Sequence, residues 1–393
     1  MRLLICGLVA SLSAPVSTAA VIMVGEGEAI TRIADAARIA RDGDLVLIKP
    51  GTYRGDVAVW EQHALEIRGL SPQPTLIADG KIAEGKAIWV FRNGRIKVGN
   101  LAFRGARAAD GNGAAIRLES GALEIQGCTF EDNQMGVLTG NVADARLAVR
   151  DSVFANAPAQ SAPLPHLLYV GRIDTVHVEG SRFEGGHFGH LIKSRARTSV
   201  LRYNFIVDGP AGRASYEIDL PDGGDALLVG NVIGQSPGSE NLALIAFGAE
   251  GPGWQENRLR MSHNTLINEK PQAAHFLRAW PERLTSPLSI VTLNNLIVGE
   301  GFFDQIHPGD HAGNQKLPAG YFAGRGADFT LPPSSPLRGK VMPPATPALI
   351  PTAEFTAPAS SRALAPPASW APGAFQRVPA NQATISEHVA TPP

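Results

Sequence analysis

Three short runs hold most of the chemically capable side chains in this chain: His166-Leu-Leu-Tyr-Val-Gly171, His190-Leu-Ile-Lys-Ser-Arg195 and Ser215-Tyr-Glu-Ile-Asp-Leu220. Aligning the first two sets His166 over His190 and Tyr169 over Lys193. With Leu168, Ile192 and Ile218 turned inward, strand alternation sends Tyr169, Lys193, Glu217 and Asp219 outward on one face and points His166 and His190 toward the interior. Stacked parallel strands lie about 4.8 Å apart, so the outward groups would converge on one small ring. The set suits removal of a weakly acidic proton from carbon beside a carboxylate. That step needs a cation to neutralise the carboxylate, a base for the proton and an acid for the leaving oxygen.

Roles follow from the residue types. Lys193, with Arg195 and Arg197 nearby, would have a lowered pKa and act as the base. Tyr169, His166 or His190 would complete the proton transfers. Glu217 and Asp219 would hold Lys193 in place, or bind Ca²⁺ that screens the ligand's charge; no cofactor is otherwise required. Arg195, Arg197, His166 and Arg278 (in Phe276-Leu-Arg278) are the expected binders of an anionic ligand. Plainer readings stand beside these. Lys193 could pair with Glu217 or Asp219 only, one histidine could be a packing residue, and the two arginines could be solvated. Asp222-Gly-Gly224 is most simply a turn. His307-Pro-Gly-Asp-His311 has the look of a metal site but lacks a further ligand set, so no metal site is assigned.

Such residues meet only if the chain repeats. A small or polar residue, a spacer and a large apolar residue recur as Cys128-Thr-Phe130, Ser152-Val-Phe154, Ser181-Arg-Phe183, Asn204-Phe-Ile206, Asn231-Val-Ile233, Asn264-Thr-Leu266 and Asn294-Asn-Leu296, with Leu101-Ala-Phe103 a looser first copy. The closing apolar residues fall 27, 24, 29, 23, 27, 33 and 30 positions apart. Short alternating strands such as Arg146-Leu-Ala-Val-Arg150 precede many copies, and others such as Ala115-Ile-Arg-Leu118 lie earlier in the unit. This is the pattern of an all-β solenoid, each turn carrying two or three parallel strands and irregular insertions leaving as loops. The asparagines would form a ladder, each amide bonding backbone in the next turn. Ile30 to Ala40 has apolar residues at helical spacing and reads as an N-terminal capping helix, while roughly a fifth of the residues after Gly339 are proline.

The limits are set by composition. Charge is balanced, with 35 Lys+Arg against 36 Asp+Glu, which excludes a net basic field for nucleic acid. Arg2, the apolar Leu3 to Leu12 and Ser17-Thr-Ala19 read as an export signal, placing the protein in the periplasm or outside the cell. Loss of that segment would leave Cys128 as the single cysteine, with no internal disulfide, and no later segment is apolar enough to span a membrane. The expected organisation is a signal peptide over 1–19, a β-helix over 20–339 and an extended or disordered Pro/Ala-rich tail over 340–393, with capped ends favouring a monomer.

Val46-Leu-Ile-Lys-Pro-Gly-Thr-Tyr53 resembles the first coil of the right-handed parallel β-helix carbohydrate-active proteins, the pectate lyase superfold, and Asp328-Phe-Thr-Leu-Pro-Pro-Ser-Ser-Pro-Leu337 resembles its closing segment. Ile192-Lys-Ser194, continuing through Tyr203-Asn204, is similar to the alginate lyase and chondroitinase B type of polysaccharide lyase. That resemblance implies a Lys base and, one coil on, an Arg acid. Where the arginine would stand this chain has Tyr216-Glu-Ile-Asp-Leu-Pro-Asp-Gly-Gly224, a departure that touches the acid. The leading expectation is a lyase acting on an acidic, uronate-containing polysaccharide by β-elimination. A glycoside hydrolase taking its two carboxylates from Glu217 and Asp219, with Asp222 or Asp225, a C5-epimerase, and a non-catalytic polysaccharide-binding protein of exopolysaccharide export stay open.

Overall fold

The computed structural model describes residues 19–160, 164–251, 253–303, 309–326 and 328–377, so the expected signal peptide falls almost entirely outside the described residues, as does His307. The strands of the repeat stack into three parallel sheets that wrap one interior. Sheet I runs through twelve strands, from Val21–Val24 to His311–Ala312; sheet II has eleven, from Thr52–Arg54 to Gln315–Leu317; sheet III has ten, from Ala58–Trp60 to Gly301–Phe303. Register is kept from turn to turn, as with Phe103, Phe130, Phe154 and Phe183 in sheet II, up to a shift between His275 and Leu277 at the last pairing of sheet III. These four rings stack inside the coil at 5.4, 4.5 and 4.7 Å between centroids. Stacking neighbours is how a turn too thin to enclose a core of its own buries its apolar side.

Between sheets I and II the expected ladder is present. The Asn204 backbone N–H and side-chain amide both donate to Asn231 Oδ1 at 3.0 Å; Asn231 does the same to Asn264, and Asn264 to Asn295 at 2.9 and 3.0 Å. Each amide also donates to a carbonyl of the preceding sheet I strand, so the polar groups of a buried bend are satisfied. The last copy of the repeat is shifted by one residue from the sequence reading. Asn295 is the rung and Ile297 points inward, while Leu296 faces out; Asn294 instead takes the left-handed position before the rung, φ 57°. Gly230, Tyr203 and His263 occupy the same position at φ 67°, 54° and 50°. Two adjacent asparagines had made the register ambiguous.

The helix at the N-terminal end spans Ile33–Ile39, three residues shorter at its start than the spacing predicts, because Ile30 bridges to Val24. Ile33, Ala36 and Ala37 are buried against the first turn, and buried Asp56 accepts the Ile33 and Ala34 N–H groups at 2.6 and 3.0 Å, serving as the cap that Arg32 lacks. At the other end, residues 328–377 run back over the outside of the solenoid. They include an antiparallel hairpin, Ala353–Thr356 with Ser360–Ala363. Phe329, Phe355 and Phe375 lie in one cluster with Phe205, Val232, Ile267, Leu296 and Val298 of sheet II, and Leu349 and Ala353 pack with Leu227 and Val229 of sheet I and with Tyr203, which follows the sheet I strand Thr198–Arg202. Among the described residues no helix is long and apolar enough to cross a membrane.

Candidate functional site on sheet III

The outward row of sheet III is fixed by register. Leu138 pairs with Tyr169, Tyr169 with Lys193, Lys193 with Asp219, Asp219 with Ala246 and Ala246 with Arg278. Their neighbours Leu168, Ile192, Ile218 and Ile245 are wholly buried in the coil. Tyr169, Lys193 and Asp219 thus share one face on successive strands, as the alternation requires, and Arg278 joins the same row beyond Ala246. A second row runs beside it where the chain enters the sheet: His166 is in register with Met135 and stacks on His190 at 4.8 Å, and His190 stacks on Tyr216 at 5.0 Å. The expected inward turn of the histidines is corrected here. His190 precedes the strand Ile192–Ser194 in a bend, where period-two alternation does not apply, and its Nε2 lies 3.3 Å from Asp219 Oδ2 on the outer side.

Charge links the two rows. Lys193 Nζ lies 3.2 Å from Asp219 Oδ2 and 2.7 Å from Glu250 Oε1. Arg195 donates to Asp222, to the other oxygen of Glu250, and through Nε to the Tyr169 hydroxyl at 3.3 Å. Arg172 reaches the second Asp222 oxygen at 3.0 Å and stacks over Trp254, whose indole N–H donates to the Arg195 carbonyl. Both histidines accept a backbone N–H at Nδ1, from His190 and from Tyr216, which assigns their protons to Nε2. Burial, reinforced by Lys193, takes His166 down to about 3, and burial holds His190 well below its ordinary value, so both rings are neutral. Burial pushes Asp219 up to about 6 despite the adjacent ammonium.

Four sequence expectations change. Glu217 is fully enclosed, with neither oxygen hydrogen-bonded, and burial together with Asp208 drives its pKa well above the carboxylate range. The bend at Glu217, just before the strand Ile218–Leu220, takes it out of the outward row, so it neither holds Lys193 nor faces a ligand. Arg197 is exposed and pairs with Asp174, which Arg146 also binds, away from the Lys193 network. Lys193 does not have a lowered pKa: burial acts against its charge, but Asp219 and Glu250 outweigh it and the pKa is raised. Glu217 and Asp219 do not make a Ca²⁺ pair, since one is enclosed and the other faces Lys193 and His190; among the described residues no cluster of three or more metal-ligating side chains forms.

Sequence spacing does not find Glu250, Arg172 and Trp254, and it offers Asp222 only as part of a turn or as an alternative hydrolytic carboxylate. All four lie in connections just after sheet III strands, where the repeat carries no register, so nothing in their spacing could place them. Arg278 forms no ion pair among the described residues and lies 4.8 Å from the Trp280 ring.

No protein-family profile matches the chain, and no curated protein matches it in sequence. Comparison of folds finds an alginate lyase from Paenibacillus sp. str. FPU-7, with TM-score 0.53 and 16% identity over 76% of this chain and 96% of that one. It also finds pectate lyase Pel9A, with TM-score 0.55 and 11% identity over 92% of this chain and 97% of that one. The chain therefore has a parallel β-helix fold like that of polysaccharide lyases.

Proposed function

We propose that the protein is an exported polysaccharide lyase that cleaves a uronate-containing polymer by β-elimination on the outward face of sheet III. The observation that carries this reading is the row Tyr169, Lys193, Asp219 on neighbouring strands of one face, with Arg195 hydrogen-bonded to Tyr169. The raised pKa of Lys193 gives it a different role from the one expected. As an ammonium it neutralises the uronate carboxylate together with Arg195, which stabilises the carbanion formed at C5. Tyr169, acting as phenolate, takes the C5 proton. The C4–O bond breaks as the C4=C5 double bond forms, and the tyrosine returns its proton to the leaving oxygen. Asp219 positions Lys193 and the Nε2–H of His190.

Hydrolysis through Glu217 and Asp219 is disfavoured because Glu217 is enclosed. The export part of the reading rests on Arg2, the apolar Leu3 to Leu12 and the small residues ending at Ala19. The test is incubation of purified protein with alginate, pectate, glycosaminoglycans and bacterial exopolysaccharides, following the ultraviolet absorbance of the unsaturated uronate. Signal that disappears in Tyr169→Phe and Lys193→Ala is the expected result. New reducing ends without that absorbance would sink β-elimination.

A further inference from the structure

The Lys193 network holds three cations, Lys193, Arg195 and Arg172, and three carboxylates, Asp219, Asp222 and Glu250. The carboxylates are not equivalent. The side chains of Asp219 and Asp222 are 2% and 5% exposed, whereas that of Glu250 is 46% exposed. Glu250 belongs to no strand; it follows Phe247, the end of a sheet III strand, and reaches over the face from outside. One of its oxygens meets Lys193 and the other meets Arg195, so a single carboxylate bridges the two cations.

From this geometry we infer that Glu250 stands in for the carboxylate of an acidic sugar, and that a uronate binds by displacing it from Lys193 and Arg195. The inference rests on the reading that this face receives an acidic polysaccharide. With Glu250 turned into solvent, three cations face two carboxylates, and the excess positive charge sits at the Lys193–Arg195 pair. An incoming carboxylate restores the balance. Lys193 and Arg195 are largely buried, but Glu250 is half-exposed, so of the three carboxylates it leaves for water at the least cost and regains rotamer freedom on release. A neutral sugar offers no replacement anion and leaves Glu250 in place. Glu250 is in this way a specificity-determining residue: it selects for ligands that carry their own carboxylate.

The experiment measures equilibrium binding of a hexauronate, and of a neutral hexasaccharide as control, to the full chain and to Glu250→Ala and Glu250→Gln, with melting temperatures recorded for each. Loss of the competing charge should tighten hexauronate binding about five- to tenfold in both variants, and lower KM on any polymer the protein cleaves, while the neutral sugar stays weak. Unchanged or weaker hexauronate binding by folded variants overturns the role of Glu250 and leaves the acidic-polysaccharide reading standing. No hexauronate binding by any of the three proteins overturns both.

Discussion

Sheets II and III offer outward rows built by one repeat, yet the rows are put to opposite uses. On sheet II, Phe205, Val232, Thr265 and Leu296 follow one another in register, and the C-terminal segment covers them with Phe329, Phe355 and Phe375. On sheet III, Tyr169, Lys193, Asp219 and Arg278 occupy the corresponding kind of position, and Lys193 pairs there with Asp219. The solenoid interior is indifferent to this choice, because stacking of inward residues alone defines the turn. Outward positions are therefore free, and what fills them decides whether a face is covered or kept for chemistry. Sheet II shows the change within itself: Thr129, Val153 and Arg182 precede Phe205 in the same row, and the Arg182 guanidinium lies 4.9 Å above the Phe205 ring, where the covered stretch begins.

If the two faces are separable, each should fail in its own assay. The largest effect is expected from Lys193→Ala, which should lower kcat on the polymer by about 10³-fold with little change in melting temperature. A large loss of stability together with activity would show that Lys193 serves the fold. Phe355→Ala should do the reverse. Removing a buried ring 5.3 Å from Phe205 should cost about 3–5 kcal/mol of stability, read by denaturant unfolding, with kcat retained in the folded fraction.

The same contrast explains how much could be read from sequence. The solenoid and the Tyr169–Lys193–Asp219 row follow from periodicity, which survives wherever strands are regular, although it left the choice between two and three strands per turn to the structure. Periodicity is also why Glu217 was misplaced and the histidines were turned the wrong way: Glu217 and His190 lie in the bent stretch before their strands, and His166 is the first residue of its strand, so alternation counted back from the strand interior does not hold for them. Glu250 and Arg172 lie in connections with no period at all. The Asn294-Asn295 slip has a third cause, two residues of one type of which either could be the rung. Strands were legible, and the parts of the site supplied by bends and connections were not.

Glu217 tests whether the interior tolerates polarity that the outer face uses. It sits beside the enclosed residues Leu191 and Ile218, and its folded pKa is raised above the ordinary 4.5. The folded chain therefore keeps a proton that the unfolded chain releases, so this group's contribution is most favourable below pH 4.5 and is lost as pH rises through the folded pKa. Glu217→Leu should stabilise the protein at pH 7 by about 1–3 kcal/mol and flatten that decline, because it removes an unpartnered buried carboxyl. A destabilised variant with an unchanged pH profile would mean that Glu217 has a partner.

The smallest effect is expected where the covering segment meets sheet I. The Tyr203 hydroxyl accepts the Thr352 N–H at 2.9 Å and lies 3.1 Å from the Thr352 hydroxyl. Tyr203 also holds a left-handed backbone, φ 54°, that glycine takes at the matching position 230. A bulky residue persists in that conformation only when its side chain gains something by being there. Tyr203→Phe keeps the ring among Leu227, Val229 and Leu349 but leaves the Thr352 N–H without its acceptor, and should cost about 1 kcal/mol. Hydrogen exchange should then quicken at Thr352 while the strand Ala226 to Val229 beneath it keeps its protection. Equal quickening in both would mean that the segment and the solenoid unfold as one unit, and that the covered face belongs to the core.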